Sequence, residues 1–292
     1  MRILLTGSNG QFAKSLQRVL INEELICLSH KKMDISKIDV VNDLVESLKP
    51  DVIINTAALR RPGECEKNPE LAFSVNAIGP RNLALACKKV GCLLFHTSTD
   101  NIFDGLKNSP YKENDLPNPI SVYGTSKLAG ELFIQNIVKK YIIIRTGGLF
   151  GGKYSINNDT NFVLTMIHKA SNNMDINVVT DQINSPTYTL DLACSAYELI
   201  KLQHYGIYHI TNSGSCSWFD FAKAIFSKLK HNPKLHPVLT DELNLGIPRV
   251  HYSVLDNSLF NKLEGVTNLS SWDNALSRYI NEINLNEFEG ES

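Results

Sequence analysis

The sequence predicts an α/β protein, a doubly wound parallel sheet followed by a smaller C-terminal lobe, and three observations lead to this prediction. Short apolar runs alternate with helical segments through the first half of the chain. A glycine-containing turn directly follows the first apolar run. After about residue 151 the loops lengthen. Strands that alternate with helices are typical of a parallel sheet with helices on both faces.

The strands and helices of the first half follow one another with short connections. Each predicted strand is a short run rich in Leu, Ile and Val. A helix over Ile38–Leu48 is indicated by its amphipathic pattern and by Lys49-Pro50, which stops it. Further helices are predicted after Gly10, over Pro69–Val90 and over Ser121–Lys139. The predicted strands are Arg2–Thr6, Leu25–Leu28, Asp51–Asn55, Leu93–Ser98 and Tyr141–Arg145.

The second half predicts a smaller lobe that is woven onto the sheet. A helix over Ser217–Leu229 is indicated by an apolar stripe and by Ser217, whose residue type often caps helix N-termini. A final helix is expected over Trp272–Ile283. We expect long loops around Tyr154–Thr160 and Asp181–Thr187 and a frayed polar tail over Asn286–Ser292.

Composition argues against several classes of protein. The net charge is −1, so no bulk electrostatic attraction to nucleic acid or to a membrane surface is expected. No apolar run has the length of a membrane span, and the first run is too short for a signal peptide. The 6 cysteines are scattered without metal-ligand spacing. These features favour a cytoplasmic protein with reduced thiols and no bound metal.

The first functional signal is the turn Gly7-Ser8-Asn9-Gly10-Gln11-Phe12-Ala13, which follows the first strand. The first glycine permits the tight turn, the second lets the backbone approach a pyrophosphate, and the small Ala13 lets the helix pack closely. Phosphates are favoured at the positive N-terminal end of a helix. The spacing is G-x-x-G-x-x-A, and a plain strand-to-helix turn is the alternative. Its position favours a dinucleotide site.

The second functional signal is Tyr123-Gly-Thr-Ser-Lys127 on a predicted helix. Because the two side chains are four residues apart, they share one helix face. The ammonium is expected to lower the pKa of the phenol from its usual value near ~10. Thr99, at the end of an upstream strand, adds a hydroxyl for the same substrate oxygen. Together these groups can protonate a ketone oxygen while a hydride reaches its carbon.

The context of this motif matters because Tyr197-Glu-Leu-Ile-Lys201 has the same spacing. We interpret that copy as ordinary helix surface, since no glycine turn or hydroxyl-rich strand end accompanies it. His96, in an apolar strand, is interpreted as a buried, hydrogen-bonded histidine. The residues that follow several strands are expected to converge, because ligands bind beyond the carboxyl ends of parallel strands.

These motifs resemble those of the extended short-chain dehydrogenase/reductases, and within them the dTDP-4-dehydrorhamnose reductase family. The resemblance covers nearly the whole chain. It implies a Rossmann-type NADP-binding domain over residues 1–150 and a predominantly substrate-binding lobe over residues 151–292. It rests on Gly7-x-x-Gly10-Gln11, Pro50–Asn55 with Ala57-Ala58, Ser98-Thr99-Asp100-x-x-Phe103-Asp104-Gly105, Tyr123-Gly124-x-Ser126-Lys127-x-x-Gly130-Glu131, Asp181-Gln182-x-x-Ser185-Pro186-Thr187 and Trp218-x-x-Phe221-Ala222.

The resemblance also implies roles for individual residues. Tyr123 would be the proton donor, Lys127 would hold the nicotinamide ribose, and Thr99 would bind the ketone oxygen. The expected cofactor contacts are Gly7, Asn9, Gly10, Gln11 and Phe12 near the pyrophosphate, Asp34 and Ile35 at the adenine, Ala57, Ala58 and Leu59 at the ribose and phosphates, and Thr97. The expected contacts to a nucleotide-sugar substrate are Thr99, Asp100, Gly148 and Arg249, the last at the diphosphate.

The end of the second strand bears on the choice of cofactor. An acidic residue there would bind the adenosine ribose hydroxyls and repel a 2′-phosphate. The chain instead has Ser29-His30-Lys31-Lys32, with no carboxylate before Asp34. A basic, hydroxyl-bearing loop suits a 2′-phosphate. We therefore expect NADPH, with Ser29 and Lys31 near that phosphate, and NADH as a second option.

Three departures from the family pattern concern the substrate. Asn101 replaces a usual Tyr, and Gly147-Gly148 replaces a usual Ser-Trp, which removes an aromatic wall. Arg60-Arg61-Pro62 replaces a more neutral turn, and in this segment the chain resembles the regulatory beta subunit of methionine adenosyltransferase.

The expected activity is 4-keto reduction of a nucleotide-linked deoxysugar, dTDP-4-dehydro-L-rhamnose or a close variant, in dTDP-rhamnose and polysaccharide biosynthesis. Two alternatives stay open, an NADP-binding regulatory subunit without turnover and a nucleotide-sugar epimerase/reductase. The second would need a further acid/base pair, and the sequence offers no clear one. The resemblance also allows a homodimer.

Overall fold

The computed structural model of the chain describes residues 1–152, 161–243 and 246–283. Its strands are short runs of β-branched and aliphatic residues, as the sequence predicts. Numbered along the chain, they are β1 (Arg2–Thr6), β2 (Glu24–Leu28), β3 (Val52–Asn55), β4 (Leu93–Thr97), β5 (Tyr141–Arg145), β6 (Leu149–Phe150), β7 (Ile176–Val179), β8 (Ile183–Asn184), β9 (Thr187–Tyr188), β10 (Gly206–His209), β11 (Cys216–Ser217) and β12 (Leu235–Val238).

The helices lie between these strands. Two 3₁₀ turns, Asp100–Ile102 and Thr240–Leu243, and one π-helical turn, Ser74–Ile78, accompany them. The α-helices are α1 (Gln11–Val19), α2 (Ile38–Leu48), α3 (Pro62–Lys67), α4 (Pro69–Phe73), α5 (Gly79–Val90), α6 (Val122–Ile137), α7 (Phe162–Ser171), α8 (Thr189–Leu202), α9 (Trp218–Leu229), α10 (Ser258–Asn261) and α11 (Trp272–Glu282).

A six-stranded sheet in the order β10-β5-β4-β3-β1-β2 forms the centre of the fold. All neighbouring strands in it are parallel. Side chains alternate between its faces, so Ile3 and Leu5 pack with α1 and α8, whereas Leu4 packs with α2 and α5. Burying each such side chain contributes about 1.5–3 kcal/mol. The doubly wound parallel sheet predicted from the sequence is thus confirmed.

The second half of the chain contributes both to this sheet and to a separate core. Strand β10 completes the edge of the sheet beside β5, and α8 packs against α1. The separate core is built around the rings of Phe150, Tyr188 and Phe221. The centroid of the Phe150 ring lies 5.6 Å from that of Tyr188 and 5.5 Å from that of Phe221. Strands β7 and β12 pair in parallel beside that core.

The segment before β4 differs from the prediction. One helix was expected over Pro69–Val90, but the structure divides it into α4, the π-helical turn and α5. The physical reason lies at Pro80, which has no N–H to donate to the carbonyl of Asn76, four residues earlier. The chain accommodates this gap with the wider turn. Helix α3 and strand β10, the sixth strand of the sheet, were not predicted.

Other boundaries agree closely with the prediction. Ser217 caps α9 by accepting a 2.9 Å hydrogen bond from the N–H of Asp220. The 6 cysteines are free thiols. The loop expected around Tyr154–Thr160 and the tail over Asn286–Ser292 lie outside the described residues. The long loop expected around Asp181–Thr187 is instead interrupted by the short strands β8 and β9. Within residues 1–152, 161–243 and 246–283, no helix has the length and apolarity needed to cross a membrane.

Candidate active site

A cleft of about 390 Å³ opens at the carboxyl edge of the sheet. Its floor is formed by residues that follow β1, β3, β4 and β5, and its far wall by segments from the second half of the chain. In a parallel sheet this edge is where ligands bind. The expected convergence of the strand ends is therefore present.

The α1 turn forms one side of the cleft. Gly7 has φ +65°, and a Cβ there would lie 2.7 Å from the backbone nitrogen of Ala57. The first hydrogen bond of the helix runs from Lys14 N to Gly10 O, 3.0 Å, and no side chain caps the helix start. The N–H groups of Gln11 and Phe12, ahead of this bond, are therefore available to an anion. The turn fits a dinucleotide pyrophosphate.

Helix α6 carries Tyr123 and Lys127 into the cleft, and its glycines bring it close to its neighbours. A Cβ at Gly124 would overlap the carbonyl of Asn101, which lies next to Asp100 in the loop after β4. A Cβ at Gly130 would overlap the carbonyl of Asn76 in the π-helical turn. These close approaches set α6 against the loop that carries Thr99. Thr99, Tyr123 and Lys127 all line the cleft.

The phenol of Tyr123 is partly buried against Thr99. Burial raises the pKa of Tyr123 to about 12, while a hydrogen bond with Thr99 acts in the opposite direction. The sequence predicted a pKa lowered by Lys127, and this is not what the structure has. The physical reason is that burial around the phenol outweighs the attraction of nearby cations. The phenol therefore holds its proton at neutral pH.

Lys127 is held beneath the tyrosine by the end of β4. Its Nζ donates a 2.6 Å hydrogen bond to the carbonyl of Thr97 and lies 3.4 Å from Nε2 of His96. The side chain is 2% exposed, and burial lowers the pKa of Lys127 to about 8, against the attraction of Glu131. Glu131 in turn is paired with Arg145 at 2.7 Å. A small rise in pH above neutrality can thus remove the charge of this lysine.

The tautomer of His96 follows from its other neighbour. Asn55 Oδ1 accepts hydrogen bonds from Thr6 Oγ1 at 2.7 Å and from the N–H of Ala57 at 3.1 Å. The amide nitrogen of Asn55 must then donate to Nδ1 of His96, 3.0 Å away. Burial and the nearby lysine hold the pKa of His96 well below its usual value. The ring is therefore neutral, with its proton on Nε2, facing Lys127.

Asp100 brings a buried carboxylate to the same wall. It is 5% exposed and receives hydrogen bonds from Thr99 at 3.1 Å and from the Asn101 amide at 2.8 Å. Burial raises the pKa of Asp100 despite these bonds. A Cβ at Gly147 would overlap the carboxylate, so the glycine at 147 leaves the room that Asp100 occupies.

Several buried polar atoms of the cleft have no partner in the part of the chain that the structure describes. All of the side-chain atoms of this kind belong to residues that line the cleft. Native proteins pair such groups, so these atoms are candidates for contacts with a ligand. They are Thr97 Oγ1, Thr146 Oγ1, both amide atoms of Asn184, and Arg249 Nε.

The structure brings together some of the predicted site residues and leaves others outside the cleft. The predicted residues that line it are Gly10, Gln11, Phe12, Ala58, Thr97, Thr99, Asp100, Tyr123, Lys127, Gly148 and Arg249. Those that do not line it are Gly7, Asn9, Ser29, Lys31, Asp34, Ile35, Ala57 and Leu59. Among the latter, Ile35 is packed in the core beside α2, and Asp34 accepts hydrogen bonds from Ser36.

Sequence reasoning missed several residues of the cleft. Thr146 follows β5, and its position after a predicted strand could have identified it. Asn184 falls at an unspecified position of the motif that spans residues 181–187, and Ser253 lies in no motif, so the sequence singled out neither of them. His96, which contacts Lys127 beneath the cleft, was interpreted as buried and hydrogen-bonded, and that interpretation is confirmed. Its contact with Lys127 was not foreseen.

The structure also locates the second Tyr-x-x-x-Lys copy and the Arg60-Arg61-Pro62 turn. The second Tyr-x-x-x-Lys copy lies on α8 away from the cleft, where Tyr197 donates to Glu23 and Lys201 lies 5.3 Å from the Tyr197 ring centroid. Its interpretation as ordinary helix surface is confirmed. In the Arg60-Arg61-Pro62 turn, Arg60 and Pro62 line the cleft, and Pro62 begins α3.

Comparisons with known proteins agree with this geometry. The RmlD substrate binding domain model matches residues 1–285. A dTDP-4-dehydrorhamnose reductase of Aggregatibacter actinomycetemcomitans is 36% identical over 94% of this chain and 97% of its own. A dTDP-4-keto-6-deoxy-D-glucose reductase of Streptomyces niveus is 32% identical over 98% of this chain and 99% of its own.

A solved structure leads to the same family. The crystal structure of dTDP-4-dehydrorhamnose reductase from Bacillus anthracis in complex with NADP superimposes with a TM-score of 0.91. It is 41% identical and covers 96% of this chain and 99% of its own. Since both the family model and full-length relatives match, the chain belongs to the RmlD family of dTDP-4-dehydrorhamnose reductases.

Proposed function

We propose that the protein is an NADPH-dependent reductase that converts the 4-keto group of a dTDP-linked deoxysugar into a hydroxyl. The most direct reaction is dTDP-4-dehydro-L-rhamnose to dTDP-L-rhamnose. The observation that carries this proposal is the meeting of Thr99, Tyr123 and Lys127 in a cleft that begins at the α1 turn. Membership of the family supports the same reaction.

In this proposal Tyr123 delivers the proton. Its pKa of about 12 keeps the phenol protonated at neutral pH, ready to donate to the ketone oxygen. Thr99 binds the same oxygen and orients it, and Lys127 stabilises the phenolate that Tyr123 becomes. NADPH, when bound, supplies the hydride. Asp100 accepts a hydrogen bond from a hydroxyl of the sugar, because a buried carboxylate gains from such a donor.

The cofactor occupies the side of the cleft nearest α1. The free N–H groups of the first turn of α1 bind the pyrophosphate, Ala58 borders the ribose and phosphates, and Thr97 faces the cofactor. Ser29 and Lys31 bind the 2′-phosphate. This assignment rests on the chemistry of the loop after β2. Lys31 is exposed there, and the nearby carboxylate of Asp34 already accepts hydrogen bonds from Ser36.

The substrate occupies the other side, between the strand ends and the second half of the chain. Gly148 lines this side of the cleft, and half-buried Arg249, whose Nε has no hydrogen-bond partner among the described residues, binds the diphosphate. Because Gln182, Asn184 and Ser253 also line this side, residues 151–292 serve predominantly as the substrate-binding lobe. The cytoplasmic location and the homodimer stay predictions.

A direct assay tests the proposal. The purified protein is mixed with NADPH and either dTDP-4-dehydro-L-rhamnose or dTDP-4-keto-6-deoxy-D-glucose, and NADPH absorbance is followed. With the first substrate we expect NADPH to be oxidised, and NADH to be oxidised more slowly when it replaces NADPH. Tight NADPH binding without oxidation by either sugar would instead support the regulatory subunit. A product in which the configuration of one or more ring carbons is inverted would support the epimerase/reductase.

A further inference from the structure

Asn184 lies in the wall of the cleft, at the end of the short strand β8. That strand pairs with β11, which fixes the backbone of Asn184 opposite Cys216. The side chain is only 4% exposed. A carboxamide in such a place can make up to four hydrogen bonds, two as donor and two as acceptor.

Neither amide atom of Asn184 has a hydrogen-bond partner among the described residues. Asn212, another buried asparagine of the same half, shows the contrast. Its oxygen accepts the N–H of Tyr188 at 2.8 Å, and its nitrogen donates to Asp191 at 2.8 Å and to the carbonyl of Ser270 at 3.0 Å. Asn212 therefore holds the fold together, whereas the amide of Asn184 is left for a different contact.

Gly148 explains why the amide of Asn184 can stand in the wall. Gly148 has φ +57°, and a Cβ there would lie 2.6 Å from Asn184 Oδ1. Any larger residue at 148 would both strain the backbone and displace the amide. Gly147, the preceding residue, makes room in the same way for the carboxylate of Asp100. Two successive glycines thus make room for two polar side chains that line the cleft, Asp100 and Asn184.

We infer that Asn184 is a specificity residue that hydrogen-bonds a ring hydroxyl of the 4-keto sugar, and this inference rests on the proposed function. A hydroxyl both donates and accepts, which matches a neutral carboxamide. A diphosphate only accepts and suits Arg249 better. Asn184 lies beside Gly148, and the preceding Gly147 lies beside Asp100, the residue after Thr99; we therefore assign Asn184 to the sugar rather than to the base.

The experiment measures kcat/KM for the full 4-keto sugar nucleotide and for its 2-deoxy and 3-deoxy analogues, in the natural protein and in Asn184→Ala. We expect the natural protein to lose roughly 10- to 100-fold on one of the two analogues, because its amide is then unpaired. Asn184→Ala should lose a similar factor on the full substrate and nothing further on that analogue. An equal ratio of full to deoxy substrate in both proteins would overturn the inference.

Two controls separate this inference from a folding effect and from the proposed function. Thermal unfolding should show that Asn184→Ala is as stable as the natural protein, because its amide has no hydrogen-bond partner in the described part of the chain, whereas Asn212→Ala should be clearly less stable. Loss of stability in Asn184→Ala equal to that of Asn212→Ala would count against a ligand-binding role. If the natural protein reduces no 4-keto sugar at all, the proposed function fails; if it does and Asn184→Ala keeps its selectivity, only this inference fails.

Discussion

Nε2 of His96 carries its proton toward Nζ of Lys127, 3.4 Å away, in the interior beneath the cleft. An N–H group facing an ammonium is unfavourable, because neither can accept a hydrogen bond. The same N–H group facing a neutral amine is favourable. Burial lowers the pKa of Lys127 to about 8, and we expect the N–H group of His96 to act in the same direction.

The rate of ketone reduction should fall as the pH rises through about 8, the pKa of Lys127. Below that pH the lysine is an ammonium that stabilises the phenolate of Tyr123, and above it the charge is lost. Tyr123, with a pKa of about 12, does not titrate in this window. Profiles of kcat/KM against pH check this. In Lys127→Arg the fall should move to higher pH, because guanidinium stays charged; an unmoved fall would assign it to another group.

His96→Leu should move the same fall in rate to higher pH, because it removes the N–H group that opposes the ammonium. It should also lower the free energy of unfolding by about 1–3 kcal/mol, since the Asn55 amide loses its acceptor. His209→Leu is the matched control, a buried histidine on β10 that hydrogen-bonds the carbonyl of Tyr111 at 2.9 Å. It should lose stability without moving the pH profile. Identical profiles for both variants would contradict the role of His96.

Tyr123→Phe should bind NADPH normally and lose about 10²- to 10⁴-fold in kcat, because the proton donor is gone. Tyr197→Phe, which removes the hydroxyl of the second Tyr-x-x-x-Lys copy, should keep full turnover. Its cost should be about 1 kcal/mol of stability from the lost bond to Glu23. Fluorescence titration with NADPH and steady-state rates distinguish the two. Near-normal turnover of Tyr123→Phe would refute the assignment of the proton donor.

Lys31→Glu should raise the KM for NADPH by roughly 5- to 20-fold and leave the KM for NADH nearly unchanged, because only NADPH carries the 2′-phosphate. Lys139→Glu is the control, since Lys139 is an exposed lysine just before β5, at the amino ends of the strands and thus opposite the cleft. It should change neither value. Parallel changes in both KM values for Lys31→Glu would argue against a contact with the 2′-phosphate.

The sequence was sufficient for five of the six strands of the sheet, all except β10, and for the helix that brings Tyr123 and Lys127 to the cleft. Nearly continuous aliphatic runs identify β1, β3, β4 and β5, because strands of a parallel sheet are buried on both faces. The four-residue spacing identifies Tyr123 and Lys127, because residues that far apart share one face of a helix. The break at Pro80 escaped prediction, since whether a proline starts a helix or widens one depends on what packs beside it. Here the neighbour is Gly130 on α6.

The electrostatics of the site were harder to foresee. The pKa of Tyr123 was expected to fall, and burial raises it instead. Sequence spacing gives the distance between two side chains but not how much solvent surrounds them. The unpaired amide of Asn184 and the contact of His96 with Lys127 were equally invisible, because each joins residues far apart in the chain.

Strand β10 and helix α8, both from the second half, lie against β5 and α1 of the first. A chain ended after residue 150 would therefore expose the hydrogen-bonding edge of β5 and the apolar surface of α1, and such edges promote aggregation. Exchange of the two halves between relatives, as independent modules, should then fail unless β10 and α8 travel with the first half. New sugar preferences are more readily obtained by changing loops around the cleft than by recombining halves.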